Sequence, residues 1–178
     1  HHIGLTPFQL GSLDHPLEAW IHSRAVSREV DPYLDTLYCA IQMIESGITA
    51  VMHNGGLSRM ALDIGLYDAS SRVVEAYEDS GMRVAFSVSH SNQNRTVYDD
   101  EDEFQAFLPA ELAKERSEAP TRQISMEDYL SLCAELFAHK QSDRTRIFIS
   151  PHNVHTCSDS MLNDIKDFGT RHSTGIHI

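Results

Sequence analysis

Eleven histidines in 178 residues are the feature of this chain with the most chemical potential. Several of them directly follow short apolar or β-branched runs. His53 follows Ile48-Thr49-Ala50-Val51-Met52, Ser89-His90 follows Val84–Val88, and Pro151-His152-Asn153-Val154-His155 follows Ile147-Phe148-Ile149. Neutral imidazole suits zinc or iron better than magnesium or calcium, and a histidine displayed at a strand end can orient a substrate. The two ends repeat the theme. His1-His2-Ile3-Gly4 and Thr174-Gly175-Ile176-His177-Ile178 each read as half of a metal-ligand strand.

The elements that must position these histidines alternate in kind. Asp31-Pro32 supplies an N-cap with proline at the first helical position, and Leu34, Leu37, Ala40, Ile41 and Ile44 continue at helical spacing as far as Gly47. The run 48–52 predicts a strand ending in a loop at His53-Asn54-Gly55-Gly56. A helix is predicted over 70–80 with Gly81 as its C-terminal cap, then a strand over 82–88. Residues 89–125 read as a long polar surface excursion with at most one short helix, its acidic run Asp99 to Glu103 being a solvated face. Ser125-Met126-Glu127-Asp128 is a capping box that opens a helix to His139. A strand at 147–149, a helix over 158–172 and the start of a further strand at 176–178 complete the series.

Helices alternating with short apolar strands are the pattern of βαβ units and a parallel sheet, open or closed into a barrel. No G-x-G-x-x-G or G-x-x-x-x-G-K-[ST] follows a strand, so the common nucleotide-binding sheets lose support. In parallel barrels the active site gathers at the carboxyl ends of the strands, where these histidines lie. A formal net charge of -12 argues against a nucleic-acid partner, which needs a basic stripe. No apolar run approaches the length of a membrane span. Cys39, Cys133 and Cys157 are widely spaced and odd in number, which predicts reduced thiols in or near the core and a cytoplasmic location.

Four passages together resemble the amidohydrolase superfamily. The nearest branch is that of the cytosine, guanine and S-adenosylhomocysteine deaminases and the atrazine chlorohydrolases. His2-Ile3-Gly4 with Pro16-Leu17-Glu18-Ala19-Trp20-Ile21 is similar to the H-x-H signature of the first strand and the L-x-x-W-[LI] element after it. Glu45-Ser46-Gly47-Ile48-Thr49-Ala50-Val51 resembles the passage from the first helix into the second strand, and Ser80-Gly81-Met82-Arg83 resembles the entry to the third. Ser150-Pro151-His152-Asn153-Val154-His155-Thr156-Cys157-Ser158 is close to the G-P-H-x-P-Y-T-C-S passage after the fourth. His155 stands where the family has tyrosine and Val154 where it has proline, a departure that bears on the substrate.

The resemblance implies an α/β fold, a partial (β/α)8 barrel running from the first strand to the start of the fifth, with residues 1–178 as the N-terminal half of the hydrolase barrel. It implies one divalent metal, zinc or iron, whose bound water acts near neutral pH. His2 would be a metal ligand, with its H-x-H partner preceding His1. On the last strand either His177 or the residue after Ile178 would be the ligand, and His177 faces the barrel interior in both registers. The family's acid/base residues would fall outside these 178 residues.

His152, His155 and His53 would bind substrate, a small nitrogenous molecule. The implied reaction is hydrolysis of a C–N bond other than a peptide bond, deamination of a cyclic amidine or aminated heterocycle by metal-bound hydroxide. Alternatives are hydrolytic dechlorination, amide or urea hydrolysis on the same scaffold, and a non-catalytic barrel-like binding protein. A homo-oligomer is a further implication. Plainer roles are expected for His15, His22, His90, His139 and His172 as surface, loop or structural residues, and for Trp20 as packing.

Overall fold

In a computed structural model the described residues are 16, 20, 30–55, 64–94, 97, 100–118 and 124–178. The first helix, α1 (Pro32–Glu45), starts where Asp31 accepts hydrogen bonds from the backbone N–H groups of Tyr33 and Leu34 at 3.0 and 3.2 Å. The same carboxylate is paired with Arg72, which ties this cap to the next helix. Strand β1 (Ala50–Gly55) follows, then α2 (Leu66–Ser80). Gly81 ends α2 in the left-handed conformation, φ 76°, a geometry glycine adopts without a Cβ penalty. Strand β2 (Arg83–His90) leads to two short helices, α3 (Glu101–Phe107) and α4 (Ala110–Glu118). Then come α5 (Met126–His139), β3 (Thr145–Pro151), a 3-10 turn at Val154–Thr156 and α6 (Asp159–His172).

The sheet is parallel, in the order β1-β2-β3, with His53 opposite Phe86, Val88 opposite Ile149 and His90 opposite Pro151. Beside β3, Ile176 forms a parallel bridge to Ile149, with Ile149 N–H donating to Gly175 O at 3.2 Å and His177 N–H to Ile149 O at 2.9 Å. Each strand therefore neighbours the next one in sequence. Alternation sends Val84, Phe86, Val88, Ile147 and Ile149 to one face. There they form the core with Val74 and Tyr77 of α2, Leu132 and Leu136 of α5, and Ile165 and Phe168 of α6. Helix α1 packs mainly on α2 and adds Ala40.

The strands reach further than the sequence patterns indicate. His53 and Asn54, read as loop, are the fourth and fifth residues of β1, and Ser89-His90 close β2. Polar residues end an apolar run in sequence, but ladder pairing continues through them because their backbones remain extended. The stretch 89–125 begins inside β2 and carries two helices rather than at most one, α3 being capped by Asp100, whose carboxylate accepts from Asp102 N–H and Glu103 N–H. Neither α3 nor α4 has a buried residue. Cys133 and Cys157 are buried and Cys39 is half-buried, all three as free thiols. Among the described residues no helix is long and apolar enough to cross a membrane.

Candidate functional site

The face of the sheet turned away from the helices is polar at its carboxyl end. Asn54, Ser87, Ser89 and Ser150 occupy alternate positions to the core residues, and all four are buried. Ser87 Oγ donates to Asn54 Oδ1 at 3.3 Å, and Ser150 Oγ donates to Pro151 O at 3.2 Å. Ser89 Oγ is buried and has no hydrogen-bond partner among the described residues. No sequence reading singled out these four. Their signal was present in the strict alternation Val84-Ala85-Phe86-Ser87-Val88-Ser89, which sends every second residue to a second face.

Tyr129 of α5 reaches this end of the sheet from the helix side. With Val88 opposite Ile149, a parallel ladder pairs Ser150 N–H with Val88 C=O. The Tyr129 hydroxyl lies between the two, accepting from Ser150 N–H at 3.1 Å and lying 2.9 Å from both Val88 O and Ser150 O. Burial pushes its phenol pKa well above the ordinary value, so the group stays protonated and retains a proton to donate to one of those carbonyls. The His90 ring stacks on Tyr129 with centroids 4.8 Å apart. The hydroxyl thus seats α5 on this rung, a wedge between helix and sheet where the strands deliver their last residues.

Beyond the wedge the two strand-end loops are bound to each other. His152 N–H donates to His90 O at 2.8 Å. Asn92 and Gln93 N–H groups donate to Thr156 O, and the amides of Gln93 and Asn94 donate to His155 O at 3.2 and 3.3 Å. Asn92 and Ser158 exchange two hydrogen bonds at 2.8 and 2.9 Å. His152 is exposed, and Asn153 Nδ2 donates to its Nδ1 at 3.0 Å, leaving the proton of the neutral ring on Nε2. His155 is also exposed, next to the loop that follows β2.

His53 lies at the same end of the sheet but on the other face. Its Nδ1 is 2.9 Å from the Tyr77 hydroxyl, and its ring meets Tyr77 and Phe86 edge-on at 5.7 and 5.4 Å. Burial raises the Tyr77 pKa, which keeps that phenol neutral. Asn54, its neighbour in β1, takes the position on the polar face. His177 follows Ile176, whose side chain packs on Gly169 of α6, so His177 lies on the face opposite the helices. The structure thus gathers His152, His155 and the β2 loop at one end, sets His53 in the helix layer, and leaves His177 on the polar face of the edge bridge.

His2 lies outside the described residues. Among the described residues no group of three or more His, Cys, Asp or Glu converges as metal ligands. Of the two metal ligands expected from the sequence, the described residues include His177.

No protein-family model matches the sequence. The chain is 24% identical over 182 aligned residues to the 5-methylthioadenosine/S-adenosylhomocysteine deaminase of Caldanaerobacter subterraneus subsp. tengcongensis, an alignment that takes in 99% of this chain and 34% of the deaminase. In fold it is similar to a triazine hydrolase variant, with a TM-score of 0.60 at 13% identity over 95% of this chain and 35% of the hydrolase. The chain spans about a third of the length of each. The sequence resembles the amidohydrolase superfamily, and the α/β fold with its parallel sheet matches a portion of a second enzyme of that superfamily.

Proposed function

We propose that these residues are the N-terminal half of the barrel of a metal-dependent hydrolase that acts on C–N bonds other than peptide bonds, deaminating a cyclic amidine or an aminated heterocycle. The observation that carries the reading is the 99% span of this chain in its likeness to a curated deaminase. The sheet supports it, since strands in sequential order with their helices on one face are what a (β/α)8 barrel requires, and the polar face becomes the barrel interior. Residues 1–178 then run from the first barrel strand to the start of the fifth, with the described β1, β2 and β3 as strands two to four.

In this reading His2 and His177 contribute to a site for zinc or iron, completed by ligands outside these residues. A divalent metal held by these residues would supply a bound water with a pKa of about 7. The chain's own residues orient the substrate. His152, with Nε2–H directed by the Asn153 contact, is a donor at the strand end, and His155 is held at the junction of the two loops. His53 acts one layer back, as a positioning residue that fixes the tip of β1 against Tyr77 and Phe86 and presents Asn54. The three free thiols fit a reducing cytoplasm.

The test is metal content of the full-length protein by elemental analysis, with ammonia release from a panel of aminated heterocycles, for the native chain and for His2→Ala. The expected result is about one zinc or iron per chain, lost together with turnover in His2→Ala. Metal-free protein that turns over nothing on the panel overturns the hydrolase reading.

A further inference from the structure

We propose that Ser89 is a specificity-determining contact of the enzyme, its hydroxyl hydrogen-bonding a neutral polar edge of the ring substrate. The inference rests on the hydrolase reading above and goes beyond it by assigning a residue and a substrate chemistry. Ser89 is only 8% exposed, its Oγ is enclosed, and that oxygen has no hydrogen-bond partner among the described residues. A buried hydroxyl without a partner forfeits a hydrogen bond it had in water, so such a group persists where something else supplies one.

Its neighbours on the polar face differ from it. Ser87 is paired with Asn54 and Ser150 with Pro151 O, so Ser89 is the one of the three serines left unmatched. Its position is also defined. Alternation places it away from the helices at the penultimate residue of β2, opposite Ser150, next to the rung that the Tyr129 hydroxyl contacts.

The chemistry of this floor selects the ligand class. Asn54, Ser87, Ser89 and Ser150 present hydroxyl and amide groups and no formal charge. A charged substrate group would gain no counter-charge from these four side chains, whereas a ring nitrogen, carbonyl or exocyclic amino group gains a hydrogen bond at little cost. A hydroxyl both donates and accepts, so Ser89 accommodates either edge. A site built to hydrogen-bond a substrate group discriminates strongly against analogues lacking it.

The experiment uses full-length protein carrying Ser89→Ala, with Ser87→Ala as the neighbouring control. It reads metal content, thermal midpoint, and kcat and KM on an aminated heterocycle and on an analogue lacking one ring nitrogen. Ser87→Ala reports the loss of a floor hydroxyl that already has a partner, and is expected to lower the midpoint and to affect both compounds alike. The expected result for Ser89→Ala is unchanged metal and midpoint, with kcat/KM down about tenfold on the full substrate and little changed on the analogue. Unchanged kinetics on both compounds, in a native enzyme that is active, overturn the assignment while leaving the hydrolase reading intact. A lowered midpoint with proportionate loss on both compounds overturns it as well, because the hydroxyl is then a structural partner of the rest of the chain. A native protein with neither metal nor turnover removes both readings together.

Discussion

The two faces of the sheet carry residues of similar burial put to opposite uses. On the helix face Val84, Phe86, Val88, Ile147 and Ile149 interlock with α2, α5 and α6, and the Tyr129 hydroxyl that enters at the β2–β3 rung is hydrogen-bonded there. On the other face Asn54, Ser87, Ser89 and Ser150 are as deeply buried without belonging to that core, and one oxygen is left unmatched. One face is optimised for packing; the other retains polar groups that packing alone would have replaced with valine or isoleucine.

The sharpest way to break this comparison is a pair of adjacent substitutions. Phe86→Ala on the helix face is expected to cost about 3–5 kcal/mol, since it leaves a cavity against Tyr77 and the His53 ring. Ser87→Ala on the other face removes one hydrogen bond to Asn54 and is expected to cost about 0.5–1.5 kcal/mol. Urea denaturation of the full-length variants measures both. Equal costs would mean that the polar face is packed as tightly as the core.

The Tyr129 wedge sharpens the comparison at the boundary between the faces. Tyr129→Phe keeps the ring that stacks on His90 and removes the hydroxyl that Ser150 N–H donates to. The expected cost is about 1–3 kcal/mol, the penalty for unsatisfied buried backbone groups. Hydrogen exchange at the Ser150 amide tells the two responses apart. Faster exchange means that the hydroxyl is what protects this amide, while unchanged protection with a small cost means that β2 holds the amide without it.

Much of the helix face was legible in sequence because its signals are local. The Asp31 cap, the Ser125–Asp128 box and the Gly81 terminator each act within a few residues, and the helices begin or end beside them. The start of α2 was missed because Gly65, at its N-terminus, makes no side-chain cap. The polar face was only partly legible. His152, His155 and His177 are near strand ends as their sequence neighbours suggested, yet His53 is turned into the helix layer and Asn54 stands on the polar face in its place. One residue of register decides which side of the sheet a side chain meets, and a short run of β-branched residues does not fix that register. The Tyr129 wedge was beyond reach in sequence, since it joins residues 41 and 21 positions apart.

The Asp31 and Glu78 anchors bear on whether the helix layer is held by packing alone. Asp31→Ala removes a cap and the Arg72 pair together and is expected to cost about 0.5–2 kcal/mol. Asp31→Asn keeps a capping oxygen and loses only the charge. Because Arg72 is substantially exposed, the Asn variant is expected to lie within about 1 kcal/mol of the native protein. Thermal unfolding of the two variants separates cap from ion pair.

Glu78, at the end of α2, accepts hydrogen bonds from the hydroxyls of Ser142 and Thr145 and pairs with Arg144, joining α2 to the start of β3. Partial burial pushes its carboxyl pKa upward, but the two hydroxyls and the Arg144 charge outweigh that and hold it below the usual carboxylate value. A depressed folded-state pKa binds protons less readily than the unfolded chain does. Its contribution to stability is therefore fully present above the unfolded value, about 4.3, and is lost as pH falls through the lower folded value. Glu78→Gln keeps an oxygen for the hydroxyls but cannot titrate. Urea midpoints measured from pH 7 down to pH 3 should therefore converge between native and Glu78→Gln proteins as the pH drops. A constant gap across that range would mean that shape and packing, rather than the carboxylate charge, fasten the helix layer to this end of the sheet.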